Sequence, residues 1–182
     1  MTIMKNTIVF DFIRPAFGAV ALLAAACAPV GAADETPAAP PAAAEIDRHP
    51  VSGLEVIDLV VVSGQTRHPF RVEVAATPQE QNRGLMFRTE MGENEGMFFP
   101  SYTPQARSFW MKNTPMSLDI IFIGTDGRIT NIAANTVPYS TESVPSTGLT
   151  SGVLELIAGR AAELGIEPGD EVMYTLPDGQ AE

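Results

Sequence analysis

The sequence predicts a mainly β fold: a single compact antiparallel β-sandwich or partly closed barrel with two short helices. Between residues 54 and 176, about eight short runs of alternating apolar and polar side chains are rich in β-branched and aromatic residues. Turn signals separate these runs, and only two short segments have the features of a helix. Many short strands with few helices are typical of sandwiches and barrels.

The strands are expected where apolar residues alternate, and two tight turns predict hairpins, at residues 63–66 and 125–128. The predicted strands are residues 54–63, 69–76, 97–99, 107–112, 118–124, 129–137, 152–158 and 171–176. Pro100 is expected to end the third of them. Residues 138–151 are predicted as a long polar loop, of the kind that is mobile or functional.

Two short helices are predicted from their end signals. Thr77 fits an N-cap, with Pro78 at the first helical position and Glu80 placed to complete a capping box. A second helix is expected over residues 159–164, closed by Gly165 in the left-handed conformation that glycine favours.

The first third of the chain is predicted to lie outside this domain. Residues 1–33 resemble a secretory signal peptide, because Lys5 and Arg14 accompany an apolar run too short to cross a bilayer comfortably. Residues 31–33 (Gly-Ala-Ala) fit cleavage that releases a soluble protein, which we favour. The alternative is a lipid anchor at Cys27, although Ala24 stands where a lipoprotein box usually has a large aliphatic residue. Either route predicts a periplasmic or otherwise exported protein.

Residues 34–50 are rich in Pro and Ala without apolar periodicity, which predicts a semi-rigid tether. A single globular β domain is then expected over residues 51–178. Cys27 is the only cysteine, so this domain has no disulfide and no thiol nucleophile. We expect no membrane span in the mature chain.

The charge of the chain is strongly acidic, with a formal net value of −11 at pH 7. This balance argues against nucleic acid as a partner. Six basic residues nevertheless lie close together in sequence: Arg67, Arg71, Arg83, Arg88, Arg107 and Lys112. They form either a basic island that meets an anionic ligand or a set of scattered, solvated side chains.

The stretch from residue 109 to 123 contains the most unusual residues, including the only tryptophan, Trp110. Asp119 lies in a predicted strand, on the same face as Ile121 and Ile123. A carboxylate in that position costs several kcal/mol, on the order of an ion's desolvation penalty, unless a cation or backbone donors meet it. We expect Lys112 or Arg88 to supply the cation, in a cluster that is either structural or functional.

Four sequence blocks together resemble a known family. They are TPQEQNRGLMFR (77–88), GMFF (96–99), FWMKNTPMSLDIIFI (109–123) and VLELIAGRAAELGIEPGDEV (153–172). In this order and spacing they are similar to the bacterial and archaeal family DUF192, the domain of unknown function 192. The resemblance covers roughly residues 55–176 and implies a small, often exported single domain with a jelly-roll-like β fold, but it implies no activity. The turn before Leu118 and Asp119 departs from many members, which have an aliphatic residue and then Pro there.

The favoured functional interpretation is a non-catalytic binding module. Its expected ligand is small and polar or anionic, such as a glycan or a carboxylate, or else its partner is an envelope protein. The candidate ligand-binding residues are Arg88, Trp110, Lys112, Asn113 and Asp119. No cofactor is expected.

Two other interpretations stay open. A carboxylate-dependent enzyme using Asp119 would need a second carboxylate, such as Glu155, to face the same cleft. A copper(I) site could use the five methionines between residues 86 and 116, although methionine is also a common filler of irregular cores. His49 and His68 are the only histidines, which makes a catalytic triad or a histidine-ligated zinc improbable.

Overall fold

The computed structural model describes residues 47–177, which contain nine strands and two short helices. Their bounds are β1 Val56–Ser63, β2 Thr66–Val74, α1 Pro78–Arg83, β3 Glu95–Gln105, β4 Ser108–Phe109, β5 Leu118–Gly124, β6 Ile129–Ala133, β7 Val144–Pro145, β8 Thr150–Ile157, α2 Arg160–Leu164 and β9 Glu171–Tyr174. The predicted signal peptide, Cys27 and residues 34–46 of the predicted tether lie outside the described residues.

Seven of the strands form one curled, half-barrel sheet, in the order β6-β5-β8-β3-β2-β1-β9, and β4 pairs with β7 in a small second sheet. Every neighbouring pair in the large sheet is antiparallel except β2 and β3, which are parallel. Parallel neighbours need a crossover connection, and the chain supplies one through α1. The mainly β class with two short helices is thus confirmed, in its partly closed barrel form.

The two edges of the large sheet approach each other at one end. The amide of Ile129 at the start of β6 donates to Asp170 O at 2.9 Å, and Gly169 N donates to Ile129 O at 2.8 Å. Val172 N in β9 donates to Gly127 O at 2.8 Å. These bonds satisfy edge groups that would otherwise be open to pairing with another chain. They link the two edge strands of the curled sheet, β6 and β9, at that end.

The sheet has two differently packed faces. Side chains from all seven strands meet in one core cluster, which includes Leu59, Phe98, Ile121 and Leu156; we call this side the inner face. On the opposite side, the outer face, a second cluster includes Met97, Ile120 and Phe122 together with Leu85 and Met111 from the connecting segments. Strand β5 is buried along its whole length because its alternate residues enter the two clusters.

Several element boundaries differ from those predicted. Strand β3 does not end at Pro100 but continues to Gln105, with an irregular register between them. A proline is tolerated there because its missing N–H coincides with this irregularity. The strand predicted over residues 107–112 is reduced to β4, and the predicted loop of residues 138–151 contains β7, its partner.

Residues 47–50, predicted as part of the tether, make contacts with the domain. Val56 N donates to Asp47 O at 2.9 Å, and the Asp47 carboxylate contacts the Arg71 guanidinium. Arg48 forms an isolated bridge with Glu55. The ordered contacts therefore begin earlier than the predicted boundary at residue 51, because the segment before β1 folds back along that strand.

Both predicted helices are present, and they are capped differently. For α1, Thr77 Oγ1 accepts from Glu80 N at 3.3 Å, while the Glu80 carboxylate accepts from Thr77 N at 2.8 Å, which confirms the capping box. Helix α2 ends at Gly165 in the left-handed conformation, as predicted. Its own N-cap residue, Gly159, provides no side chain for capping.

Candidate binding pocket

A pocket of about 1010 Å³ lies against the outer face of the sheet, between β3, β8, α1 and the segment around β4. Its volume is at the upper end of the range for small-molecule sites. The aromatic residues that line it are Phe99, Tyr102, Phe109 and Trp110. Its basic residues are Arg48, Arg83, Arg107 and Lys112, and its acidic residues are Glu55, Glu80 and Glu155.

Arg107 is a cation of the pocket whose guanidinium group is held in place by hydrogen bonds. Its Nη1 donates to Ser101 Oγ and its Nη2 to Gln81 Oε1, both at 3.1 Å. The guanidinium carbon also stands 5.2 Å from the centroid of the Phe109 ring. Burial lowers the pKa of Arg107 from its ordinary value, but an arginine remains charged at neutral pH.

The charge of Arg107 has no carboxylate partner among the described residues. Arg83 and Lys112 likewise form no ion pair within residues 47–177. Neutral acceptors therefore fix the Arg107 side chain while its positive charge stays uncompensated. This arrangement is suited to an anion that enters from solvent.

Exposed aromatic rings border the pocket. Trp110 is 50% exposed and Tyr102 is 41% exposed, so both rings present apolar surface to solvent. Lys112 Nζ lies 5.2 Å from the centroid of the Trp110 ring, in a cation–π contact. Burial and the negative charge of Glu80 raise the pKa of Tyr102, which keeps its hydroxyl protonated. Trp110 and Lys112, two of the predicted ligand-binding residues, thus both line the pocket.

Glu155 is a buried carboxyl that lines the pocket. It lies in the middle of β8, is only 4% exposed, and has Met97 and Ile120 as its register partners on the adjacent strands. A Cβ at Gly96 would stand 2.6 Å from Glu155 O, so the glycine allows β3 to approach β8 closely there. Burial raises the pKa of Glu155 to about 8. From the sequence, this residue was expected to act only as a second carboxylate for Asp119.

Asp119 lies on the inner face, away from the pocket lining. Its side chain is fully buried and accepts from two backbone amides, Asn135 N at 2.9 Å and Ala161 N at 3.0 Å. Of the two expected ways to compensate its charge, the structure shows backbone donors and not Lys112 or Arg88. The expected cluster of Asp119 with those cations is therefore not formed.

The two-carboxylate enzyme hypothesis does not fit this arrangement. Asp119 pairs in register with Leu156, whereas Glu155 pairs with Ile120. Because successive side chains of a strand point to opposite faces, the two carboxyl groups project from opposite sides of the sheet. They cannot serve one cleft.

Arg88 and Asn113, the other predicted ligand-binding residues, do not line the pocket. Arg88 Nη2 donates to both carboxylate oxygens of Glu73, at 2.8 and 2.9 Å, and both side chains are largely buried. Asn113 adopts a left-handed turn conformation with φ 56°, and its side-chain amide donates to Met86 Sδ at 3.7 Å. The structure thus brings Trp110 and Lys112 together at the pocket and gives Arg88 and Asn113 structural contacts.

The methionines of the copper(I) hypothesis belong mainly to the core. Met97, Met111 and Met116 are buried in the outer-face cluster, and Met91 packs against it. This placement favours the packing interpretation. Within residues 47–177, no group of three or more His, Cys, Asp and Glu side chains has the proximity to hold a metal ion. No helix in the same range is long and apolar enough to cross a membrane.

The family is shown by a match to its sequence model, and solved structures show similar chains. The DUF192 family model, described as "Uncharacterized ACR", matches residues 59–174. A search of curated proteins found no match. One similar solved structure is a protein of unknown function from Novosphingobium aromaticivorans DSM 12444, with 52% identity over 72% of this chain and 94% of that chain and a TM-score of 0.69. Another is a Sinorhizobium meliloti 1021 protein, provisionally described as a transcription regulator, with 35% identity over 65% and 93% of the two chains and a TM-score of 0.64.

Proposed function

The chain belongs to the DUF192 family, and from the residues of its pocket we propose that it is an exported, non-catalytic binding module for a small anionic ligand. The ligand class that we infer is a sugar acid or a similar carboxylate-bearing glycan unit. Export is supported by the signal-like residues 1–33. The acidic net charge of −11 supports a small ligand in preference to nucleic acid.

Arg107 is the observation that carries this proposal. It is a half-buried guanidinium, oriented by Gln81 and Ser101, whose charge has no carboxylate partner in the part of the chain that the structure describes. Structural arginines of this kind normally pair with a carboxylate, as Arg88 does with Glu73. An incoming carboxylate would supply the missing charge through strong, charge-assisted hydrogen bonds.

The aromatic residues support a sugar as the body of the ligand. Trp110 and Tyr102 expose large parts of their rings at the pocket, where a flat apolar surface can pack against the C–H face of a sugar ring. Arg83 and Lys112 add positive charge at the same opening. The pocket thus combines positive charge with aromatic surface on an otherwise acidic protein.

A protein ligand is the second candidate, favoured by a strained aromatic surface next to Trp110. Phe87 and Tyr139 are 66% and 64% exposed, and both have positive φ angles, of 64° and 61°. Phe87 N donates to Asn113 O and Tyr139 N to Thr114 O, which ties both residues to one turn. Bulky residues held in this conformation cost free energy and often mark functional surfaces. An envelope protein is the partner that this surface would fit.

Calorimetric titration with glucuronate, with glucose as the neutral comparison, tests the anion-binding proposal. We expect glucuronate to bind and Arg107→Gln to weaken it by about 10- to 100-fold, because a charge-assisted hydrogen bond contributes about 1.5–3 kcal/mol. Arg67→Gln is the matched control, since Arg67 lies outside the pocket and contacts Met173. Equal affinity for glucose and glucuronate, or equal affinity in Arg107→Gln, would contradict the proposal. Binding of an envelope protein that is lost when Phe87 and Tyr139 are replaced would instead favour the protein partner.

A further inference from the structure

Glu155 has no hydrogen-bond partner for its carboxyl group among the described residues, although it is 96% buried and lines the pocket. The 4% exposure of the residue and its position in the pocket lining place the carboxyl between the sheet and the pocket space. Its lateral neighbours, Met97 and Ile120, are apolar. The carboxyl oxygens are not among the fully buried unpaired atoms of the described residues, which are His68 Nε2 and Arg160 Nε, so they keep contact with the pocket space and can meet a partner from outside the chain.

The charged residues around Glu155 do not neutralise it. Glu73, on the same sheet row beyond Met97, is engaged by Arg88. The other titratable residues of the pocket are Arg48, Glu55, Glu80, Arg83, Tyr102, Arg107 and Lys112. Burial is the sole cause of the raised pKa of Glu155, about 8, so none of these groups offsets its desolvation. At neutral pH the free pocket therefore contains a protonated carboxylic acid.

We propose that Glu155 contacts the ligand as a neutral carboxylic acid and donates its proton in a hydrogen bond to a ligand oxygen. This inference rests on the proposed anion-binding function and names a second residue that determines which ligands fit. A carboxylic acid is both a donor and an acceptor, whereas the ionised form only accepts. Glu155 thus favours ligands that present a hydroxyl or carboxylate oxygen at this position. An ammonium group would need the ionised form and is disfavoured.

The inference fixes the sign of the pH dependence. Below the pKa of the free carboxyl, Glu155 is already protonated and the affinity is independent of this group. Above it, binding requires the uptake of one proton, so the affinity falls about tenfold for each pH unit. An amine-bearing ligand would show the opposite trend, because it would pair with the ionised carboxylate and release the proton.

The test is a calorimetric titration of the full chain with glucuronate from pH 6.5 to 9.5, on wild type, Glu155→Gln and Glu167→Gln. We expect the wild-type affinity to be flat up to about pH 7.5 and about 30-fold weaker at pH 9.5, from the tenfold loss per pH unit above the pKa. Glu155→Gln keeps a donor and cannot ionise, so its affinity should vary by less than about threefold over that range, apart from any loss shared with the control. Glu167→Gln, which alters a side chain outside the pocket, should follow the wild type.

The outcomes separate this inference from the proposed function. Glucuronate affinity that is independent of pH, or that declines equally in Glu155→Gln, overturns the role of Glu155 and leaves the anion-binding proposal standing. A glucuronate affinity that rises with pH overturns the neutral-donor role, because the ionised carboxylate would then bind the ligand better than the acid does. No glucuronate binding at any pH overturns both. Carboxyl-labelled glutamate NMR, assigned by difference against Glu155→Gln, should also show a group that titrates above pH 7; titration near pH 4–5 overturns the inference without any ligand.

Discussion

Asp119 and Glu155 are both buried carboxyl-bearing residues on adjacent strands, yet they have opposite surroundings. Asp119 projects to the inner face and receives hydrogen bonds from Asn135 N and Ala161 N. Glu155 projects to the outer face, between Met97 and Ile120, and its carboxyl receives none from the described residues. Burial alone therefore does not distinguish a structural carboxylate from a functional one. The distinction lies in whether the fold itself supplies the donors.

The inner face supplies those donors because two backbone segments reach Asp119. One follows β6 and contains Asn135, and the other is the first turn of α2. Helix α2 lacks a capping side chain of its own, since Gly159 occupies its N-cap position. The Asp119 carboxylate accepts from Ala161 N, one of the free amides in the first turn of α2. An N-cap side chain normally supplies such an acceptor. The outer face at Glu155 has only side chains and the pocket.

Removing the Asp119 carboxylate should cause the largest effect. We expect Asp119→Ala to lower the free energy of unfolding by about 4 kcal/mol, because the buried amide of Ala161 and the partly buried amide of Asn135 lose their acceptor at about 1–3 kcal/mol each. Chemical denaturation at pH 7 measures this loss. Ligand affinity, measured where the variant is still folded, should change little because Asp119 does not line the pocket.

The matched control for this variant is Asp58→Ala. The Asp58 side chain is 81% exposed and its ion pair with Arg71, at 3.5 Å, is solvated, so we expect a change below about 1 kcal/mol. Similar losses in the two variants would contradict the structural role of Asp119. They would also remove the contrast between the two faces.

Glu155 should show the reverse behaviour, a stability cost that appears as the pH rises. Its pKa of about 8 in the folded protein lies above the ordinary value of 4.5, so the folded state binds the proton more tightly than the unfolded state. The resulting stabilisation is complete below pH 4.5 and is lost progressively up to pH 8. Relative to Glu155→Gln, the wild type should lose ~3 kcal/mol between pH 5.5 and 7.5, at about 1.4 kcal/mol for each pH unit.

Denaturation curves of wild type and Glu155→Gln at several pH values measure this difference, and other titrating groups cancel in the comparison. A constant difference across the pH range would mean that Glu155 titrates normally. In that case its surroundings would resemble those of an exposed carboxylate. The contrast with Asp119 would then be one of position only.

The sequence predicted Asp119 well as a buried residue but did not identify Glu155 as the one at the pocket. Alternation over residues 118–123 placed Asp119 with Ile121 and Ile123, and the structure shows that all three face the inner side. Alternation over residues 152–158 likewise placed Glu155 on one face of its strand, β8. Alternation cannot say, however, which face of a strand meets the core and which meets a pocket. That assignment depends on the strand order, in which β8 lies between β5 and β3.

Arg107 was missed for a related reason. In sequence it is one of six closely spaced basic residues, and nothing local separates it from Arg88. The structure distinguishes them through distant partners: Arg88 meets Glu73, whereas Arg107 meets the neutral groups of Gln81 and Ser101. Capping boxes and hairpins were predictable because their determinants lie within a few residues. The presence or absence of a counter-charge was not, because it depends on long-range contacts.

The caps of the two helices also differ in burial, and here the smallest effect on stability is expected. Thr77 caps α1 at the surface, where water can replace a lost hydrogen bond, whereas Asp119 performs a similar role for α2 inside the fold. We expect Thr77→Ala to lower the free energy of unfolding by about 1 kcal/mol, the usual cost of losing such a cap, while Thr77→Ser keeps the hydroxyl and most of the stability. Chemical denaturation of both variants measures this difference. A loss in Thr77→Ala as large as that in Asp119→Ala would show that burial of the amides does not set the cost, because the exposed cap would then be as valuable as the buried one.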